Sequence, residues 1–252
     1  MEIKSRPVWE SLKFYLTSLK NLPVSESLML DGDKGFCVST GSSWDSWVYY
    51  PERLKDSDTV KEILKFFNSR RIAFLFPVYD ADNGSEKICK DCGLFFRENF
   101  TAMSFVPKTS PETDPEMKFK HVTSPEMSKE WAETSWRGFG GLGDVGESYY
   151  RFVDALSDDR KNLSLYIAEH NGKNSGVFLL THDEKYAGVF YLATVPEMRR
   201  KGIARAMMNE ICRLSANKKI VLLSTEGGLL FYKNFGFEEL STSPIYSNEI
   251  RS

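Results

Sequence analysis

The sequence is poor in the residues that build disulfide scaffolds and metal centres. It has four cysteines and three histidines in 252 residues, and only Cys89 and Cys92 are close together. A single C-x-x-C pair could be redox active or half a zinc site, but there is no second pair and no histidine at ligand spacing. So few cysteines fit a reducing compartment better than a secreted disulfide framework. We therefore expect free cysteines and no metal.

Long hydrophobic runs and an excess of charge of either sign are also missing. No run approaches the ~18 apolar residues of a membrane span, and the segment Met1 to Pro7 lacks the apolar stretch of a signal peptide. Lys and Arg total 33 against 35 Asp and Glu, a net charge of −2. The balance gives no broad attraction to nucleic acid or anionic lipid. We expect a cytoplasmic globular protein with no nucleic-acid or membrane partner.

One segment of the chain is typical of a linker between domains. Residues Pro107 to Glu116 contain three prolines and no large apolar side chain. Proline at this spacing disfavours both helix and central strand. The sequence therefore predicts a linker at residues 107–117 between a domain of residues 1–106 and a domain of residues 118–252, both of common domain size.

The second half alternates helices and strands. A strand near Phe119 precedes two helices, the first capped by Ser124, and three strands in an antiparallel meander follow. After Pro196 comes a helix with one apolar stripe, then the buried-strand run Ile220 to Leu223, a helix and a last strand. This order predicts an α/β fold with a mixed, mostly antiparallel central sheet flanked by helices.

The chemistry is concentrated in the segment Leu192 to Ala204, where a strand stops at a proline and a basic, glycine-containing turn opens an amphipathic helix. Backbone N–H groups at a helix start are unpaired and suit a pyrophosphate. Gly202 lets phosphate oxygens approach the backbone, and basic side chains add positive charge. The pattern is neither a Walker loop nor a Rossmann fingerprint. It predicts an anion cradle, against the alternative of an ordinary solvated loop.

Arg199, Gly202 and Ala204 resemble the R/Q-x-x-G-x-G/A motif of the GCN5-related N-acetyltransferases (GNAT), with the usual proline three residues upstream. The segment Leu230 to Phe237 looks like that family's second motif, a helix ending in Y-x-x-x-G-F. Both motifs occur in the family's order, and the resemblance runs from about Lys118 to the C-terminus. It implies the acyl-CoA N-acyltransferase fold and transfer of an acetyl or other acyl group from acetyl-CoA to a primary amine by direct attack.

The resemblance also implies where the coenzyme binds. The strand before Pro196 splays from its parallel neighbour, its amides contact the pantetheine, and the amides of the following turn hold the pyrophosphate. The asparagine often found seven residues before the family's tyrosine is Thr225 here, which leaves that contact open. The expected cofactor-binding residues are Leu192, Ala193, Thr194, Val195, Arg199, Arg200, Lys201, Gly202, Ile203, Ala204, Arg205 and Thr225.

The resemblance implies a catalytic acid at Tyr232, because the family's tyrosine commonly protonates the departing thiolate. Glu226 is a candidate general base acting through water, and its alternative reading is a solvated loop glutamate. Aromatic residues flank the glycine-rich loop 138–143, where the family usually builds the acceptor pocket, and core packing is their alternative reading. These candidate substrate contacts are Trp136, Phe139, Tyr149 and Tyr150.

The first half repeats the plan of the second half. The segment Val48 to Arg53 aligns with Ala193 to Met198, and a helix, an apolar run and a second helix follow each. Gly93 lies 42 positions after Pro51, and in the second half the corresponding spacing between proline and glycine is 40. The agreement predicts two tandem copies of one fold.

The first copy has lost the residues that suit a pyrophosphate. Its turn, Leu54 to Thr59, has no glycine and places two aspartates where the anion would bind, so an anion is repelled there. Cys89 stands where the second copy has Tyr232. We expect a degenerate N-terminal domain and one coenzyme site per chain.

Two other functions remain open at this point. A non-catalytic acyl-CoA sensor or interaction module keeps the fold without the chemistry, although retention of Tyr232 beside an intact cradle favours an enzyme. A nucleotide-binding protein of another type predicts that ATP or NAD competes with coenzyme A. The acceptor is expected to be an amine-bearing small molecule or peptide, and the protein a monomer or homodimer.

Overall fold

A computed structural model of the chain describes residues 4–42, 45–79, 83–107, 115–215 and 218–248. The helices are α1 (Arg6–Lys20), α2 (Asp58–Asn68), α3 (Asn83–Asp91), α4 (Pro125–Gly138), α5 (Glu147–Asp158), α6 (Ile203–Leu214) and α7 (Glu226–Phe235). The strands are β1 (Glu26–Leu30), β2 (Gly35–Ser39), β3 (Trp47–Tyr49), β4 (Phe76–Pro77), β5 (Phe95–Phe105), β6 (Met117–His121), β7 (Leu163–His170), β8 (Lys173–Thr181), β9 (Tyr186–Thr194), β10 (Lys219–Ser224) and β11 (Glu238–Ser247).

The chain divides into two compact units with boundaries that differ from the predicted domains. The first unit combines Met1–Met103 with Leu223–Ser252, and the second is Ser104–Leu222. The C-terminal segment of the predicted domain 118–252 thus groups with the N-terminal residues. Much of the predicted linker, residues 107–117, lies outside the described residues.

The grouping of the C-terminal segment follows from the pairing of β11. This strand is antiparallel to β4, with Ile245 opposite Pro77. The amide of Val78 donates to the Pro244 carbonyl at 3.0 Å, and the Tyr246 hydroxyl donates to Glu86 at 3.1 Å. Backbone and side-chain bonds therefore both tie the last strand to the first unit.

The rest of the first unit is built on a three-stranded antiparallel sheet in the order β1, β2, β3. Leu75 forms a parallel bridge with Trp47, so the chain returns beside β3 after crossing over through α2. The helix α2 buries Val60, Ile63 and Phe67, as its apolar spacing predicts. Helix α1 buries an apolar face that includes Trp9.

The second unit contains the predicted antiparallel meander. Strands β6, β7, β8 and β9 are antiparallel neighbours, and β10 is parallel to β9 after the α6 crossover. Helices α4 and α5 pack together and against the sheet, and α6 packs against β8 and β9. The side chain of Ser124 caps α4 as predicted, because its Oγ accepts from the Met127 amide at 3.3 Å.

The architecture is a mixed α/β fold whose mostly antiparallel sheet is flanked by helices, which confirms the predicted fold class. Elements β1 to β3, α2, β4, α3 and β5 of the first half follow the same order as β7 to β9, α6, β10, α7 and β11. Origin of the two halves by duplication, with a degenerate first copy, stays a prediction.

Within the described ranges, no helix has the length and apolar character needed to cross a membrane.

Candidate active site

Strand β9 changes direction where the predicted cofactor-binding residues begin. Tyr191 has a φ of +53°, and the pairing with β8 shifts so that an extra residue of β9 is inserted near it. The result is a β-bulge, a local irregularity that bends a strand. The parallel pairs with β10 extend from Lys219↔Tyr186 to Val221↔Gly188, whereas β9 continues to Thr194. The second half of β9 therefore diverges from the parallel ladder.

The amides of this diverging segment point to alternate sides. Val195 donates its amide proton to the Ser175 carbonyl at 3.1 Å, so the fold already uses that N–H. Because successive N–H groups of a strand point in opposite directions, the Thr194 amide faces away from β8. The Thr194 amide is therefore better placed than the Val195 amide to contact the coenzyme.

Small residues allow neighbouring elements to approach this segment. A Cβ atom added to Gly138, at the end of α4, would lie 2.8 Å from the Ala193 Cβ, and one added to Gly176 would lie 2.7 Å from the Ala193 carbonyl oxygen. The glycines at 138 and 176 let α4 and β8 pack directly on β9. Together with the bulge at Tyr191, they are part of the site that motif comparison missed, since their role depends on contacts between elements.

The basic turn leads into α6 through left-handed backbone. Pro196–Met198 is a 3₁₀ turn, Arg200 has a φ of +61°, and Gly202 is the helix N-cap with a φ of +82°. The Ala206 amide donates to the Gly202 carbonyl at 2.9 Å. The amides that precede Ala206 belong to the first turn of α6, and first-turn amides have no acceptor within their own helix. Among the described residues, apart from the chain neighbours and the backbone of α6 itself, no atom lies within 4 Å of a Cβ placed on Gly202. An open helix start of this kind fits a pyrophosphate.

Arg199 holds the turn in place. Its guanidinium group donates to the Gly138 carbonyl at 2.9 Å and to the Thr194 carbonyl at 3.3 Å, joining the end of α4 to the end of β9. An ion pair between Arg137 and Glu197 makes a second link from α4 to the turn. The remaining predicted basic residues, Arg200, Lys201 and Arg205, are exposed and contribute positive charge around the helix start.

The four aromatic residues predicted to contact substrate lie in different surroundings. Tyr149 is buried, and its hydroxyl is 2.8 Å from the Ser135 Oγ, as expected for core packing. Phe139 is 43% exposed and packs edge to face on Tyr191, with ring centroids 5.9 Å apart, so it lies next to the bulge. Trp136 is half-buried and covers Gly141.

Tyr150 lines a groove between α4 and α5. The groove has a volume of about 340 Å³ and a mixed lining: Pro125, Ser128, Lys129, Glu147, Tyr150, Arg151 and Asp154. The Tyr150 hydroxyl donates to Glu133 at 3.1 Å. Among the four predicted contacts, Phe139 thus lies beside the bulged strand, and Tyr150 faces a separate surface.

The predicted catalytic residues lie on α7, in the first unit. Thr225 is the N-cap of this helix without a side-chain capping bond, and both Thr225 and Glu226 are exposed. Tyr232 is buried against Phe237, with ring centroids 5.4 Å apart. Burial raises the pKa of the Tyr232 hydroxyl above its ordinary value. Gly236 ends the helix with a φ of +115°, so the glycine of the second motif is a C-cap.

A carboxyl group from the first half also lies near the start of α7. Burial raises the pKa of Glu98, on β5, while a hydrogen bond with the Glu226 backbone acts in the opposite direction. Glu98 belongs to no motif and lies far from Glu226 in the sequence. Only the folded chain brings the two residues together.

The cysteines are free in the structure, as expected. Burial is the main reason that the pKa of Cys89 is raised to about 12 and that of Cys212 to about 11, so both stay protonated thiols at neutral pH. In the part of the chain that the structure describes, no three His, Cys, Asp or Glu residues are grouped so as to hold a metal ion.

The bulged strand, the glycine N-cap and the helix after it define a protein of the acyl-CoA N-acyltransferase fold class. Residues 161–239 match the family model described as an acetyltransferase (GNAT) domain, a range that includes both the α6 turn and Tyr232. Residues 161–239 are therefore similar to an acetyltransferase (GNAT) domain, which is a class of acyltransferase domain.

Solved structures with the same fold match nearly the whole chain. A GCN5-related N-acetyltransferase from Kribbella flavida is 13% identical, with a TM-score of 0.68 over 100% of this chain and 97% of its own. One from Sphaerobacter thermophilus is 13% identical, with a TM-score of 0.63 over 96% and 86%. A tandem GNAT protein from the clavulanic acid biosynthesis pathway is 11% identical, with a TM-score of 0.57 over 96% of each chain. No curated protein matches the sequence.

Proposed function

We propose that the protein transfers an acetyl group from acetyl-CoA to a primary amine of a small molecule or peptide. The observation that carries the proposal is the open start of α6, where Gly202 adopts a φ of +82° directly after the diverging strand β9. Proteins of this family generally use acetyl-CoA. The first-turn amides of α6 would hold the pyrophosphate, and the Thr194 amide would contact the pantetheine.

The chemical step proposed is direct attack of the neutral amine on the thioester carbonyl. Tyr232 would donate its phenolic proton to the departing sulfur, since its raised pKa keeps the hydroxyl protonated at neutral pH. Glu226 remains the candidate that accepts the amine proton through water, and its exposure is compatible with that role. Holding both reactants in one geometry would supply much of the rate.

The proposal includes the wider expectations from the sequence. The predicted catalytic domain is residues 118–252, and residues 1–106 form a degenerate copy without a coenzyme site of its own. We propose no metal, a cytoplasmic location, and a monomer or homodimer. Arg199 would act by holding the turn, and exposed Arg200 and Lys201 by attracting phosphate.

The coenzyme site is tested by Gly202→Glu, with acetyl-CoA affinity measured by calorimetry. The substitution places a carboxylate where the pyrophosphate would bind, and we expect about 100-fold weaker binding, which corresponds to about 2.8 kcal/mol. Gly172→Glu is the matched control, because Gly172 also has a positive φ, +74°, and open space around its Cβ. Equal affinities for the two variants would contradict the site.

The enzymatic role is tested on the unmodified protein with a panel of amines. Release of free coenzyme A that depends on an amine supports the transferase. Tight acetyl-CoA binding without any such release would contradict it and favour the sensor instead.

A further inference from the structure

A second group of polar residues lies at the other end of β9 from the basic turn. His182 lies in the connection that precedes β9, whereas the basic turn follows its last residue, Thr194. A strand of nine residues is about 30 Å long. The two ends of β9 therefore carry separate surfaces.

Four side chains form a row at this end of the second unit. His121 pairs with Tyr166 across β6 and β7, and their rings stack with centroids 5.0 Å apart. Ser164 lies two residues before Tyr166, so it is on the same face of β7. Its Oγ is 2.6 Å from the Nε2 of His182. The row thus runs from β6 to the connection between β8 and β9.

A positive charge stands near each end of the row. Arg160 donates to the Thr123 carbonyl at 2.6 Å, close to His121, and also to the Ser157 carbonyl at 3.4 Å. Lys218 donates from Nζ to the Asp183 carbonyl at 2.7 Å, beside His182. Neutral carbonyl groups hold both cations, so their positions are fixed while their charges are not cancelled.

The carboxylates of Asp183 and Glu210, which lie near the row, have partners outside it. The Asp183 Oδ1 accepts from the amides of Lys185 and Tyr186. On α6, Glu210 forms an ion pair with Arg213. Among the described residues, no ion pair joins a carboxylate to the cations or histidines of the row.

Burial and, to a smaller extent, the nearby positive charge disfavour the protonated form of the two histidines. Burial lowers the pKa of His121, and Arg160 lowers it further. Burial also lowers the pKa of His182, with additional contributions from Lys218 and His121. An anion bound between Arg160 and Lys218 would favour the protonated form of both histidines and so oppose the lowering of their pKa.

We propose that this row, His121, Tyr166, Ser164 and His182 with Arg160 and Lys218 at its ends, is a binding site for a small phosphate-bearing ligand. The side chains offer a hydroxyl, an ammonium, a guanidinium and protonatable ring nitrogens, a donor set that suits an anion with several acceptor oxygens. The site is distinct from the proposed coenzyme site and requires no chemistry from it.

The three histidines of the chain make a direct test possible. Imidazole resonances of the full-length protein are followed by NMR against pH, with and without inorganic pyrophosphate. Binding should raise the pKa of His121 and His182 by about one unit, because the anion favours the charged imidazolium. His170 is the internal control, since it lies 3.3 Å from Glu116, away from the row. Equal shifts at all three histidines, or the same shifts in sodium chloride of matched ionic strength, would overturn the proposal.

A pair of lysine variants separates the row from general surface charge. Lys218→Gln should weaken pyrophosphate binding, followed at the His121 and His182 resonances, about tenfold. Lys185→Gln removes an exposed lysine from the connection between β8 and β9 and should leave binding unchanged. Acetyl-CoA affinity should be the same in both variants, which keeps this result independent of the proposed enzyme activity. Equal loss of pyrophosphate binding in both variants would refute the role of Lys218.

Discussion

A single buried hydroxyl group carries the proposed acid chemistry. The Tyr232 ring packs on Phe237, and removal from water disfavours its phenolate, which is why its pKa is raised. An acid with a raised pKa keeps its proton to higher pH. Tyr232 is therefore suited to donating a proton and poorly suited to accepting one at neutral pH.

Tyr232→Phe should lower kcat by about 100-fold or more while leaving acetyl-CoA affinity nearly unchanged, because a general acid contributes in the transition state rather than in coenzyme binding. Steady-state kinetics and calorimetry measure the two quantities. In the unmodified enzyme, ionisation of Tyr232 should cause no fall in kcat below about pH 9, since the group stays protonated there.

Tyr246→Phe is the control for that experiment. It also removes one buried tyrosine hydroxyl from the first unit, where the group donates to Glu86. We expect some loss of stability and an unchanged kcat. If both variants retain the kcat of the unmodified protein, the role assigned to Tyr232 is wrong.

At the scale of residues, the sequence is informative where a function depends on neighbours in the chain. Gly202 and the C-cap Gly236 could be recognised because left-handed backbone is required at one position of a local motif. Gly138 and Gly176 could not, because the atom that restricts each of them belongs to β9. Glu98 near Glu226 is a similar case between two distant segments.

The helices α4 and α7 differ in whether the side chain of the N-cap residue makes a hydrogen bond. The α4 cap Ser124 accepts a hydrogen bond from the Met127 amide, whereas the α7 cap Thr225 makes no such bond with its side chain. Both residues are hydroxyl-bearing N-caps in extended backbone. Sequence alone does not distinguish them, because the difference lies in rotamer and local geometry.

Ser124→Ala should reduce the free energy of unfolding by about 1 kcal/mol, since it removes a satisfied cap. Thr225→Ala should cost clearly less. Urea denaturation of the two variants beside the unmodified protein measures the difference. A larger loss for Thr225→Ala would contradict the assignment of caps.

The order of elements in the second half was predictable because periodicity and turn residues are local signals. The surface that each aromatic residue faces could not be predicted in this way. Tyr149 and Tyr150 are adjacent in α5, and adjacent helical residues point about 100° apart. One therefore packs in the core and the other faces the groove, so sequence proximity to the loop 138–143 does not place them in a common pocket.

On the scale of the whole molecule, the compact units meet at two points of the chain: Met103/Ser104 lies near the predicted linker, and Leu222/Leu223 lies far from it. Composition could suggest a boundary near residues 107–117, but it could not reveal that β11 pairs with β4. Pairing partners of strands are non-local and leave no signature in residue type. For this reason the grouping of Leu223–Ser252 with the N-terminal residues could not be predicted, and the domain 118–252 stays a prediction.

A protein containing only residues 118–252 should fail to unfold cooperatively, because β11 loses β4 and exposes Ile245 and Tyr246, which are fully buried in the complete chain. Circular dichroism during thermal unfolding, with dye binding to exposed apolar surface, measures the outcome. The control is the full chain carrying a protease site within residues 107–117. Cleavage there removes a covalent connection but leaves the strand pairing, so the cleaved protein should stay folded. A sharp transition for the isolated fragment would contradict this prediction.

The pairing of β4 with β11 also sets the timing of folding during synthesis. Pro77 must wait for Ile245, which is 168 residues later in the chain (245 − 77). At about 5–20 residues per second, translation leaves the edge of β4 without its partner for roughly 8–34 s. Pairing of β4 in the first half of the sequence is therefore delayed until β11 has been made, and a chain truncated before β11 leaves the edge of β4 unpaired.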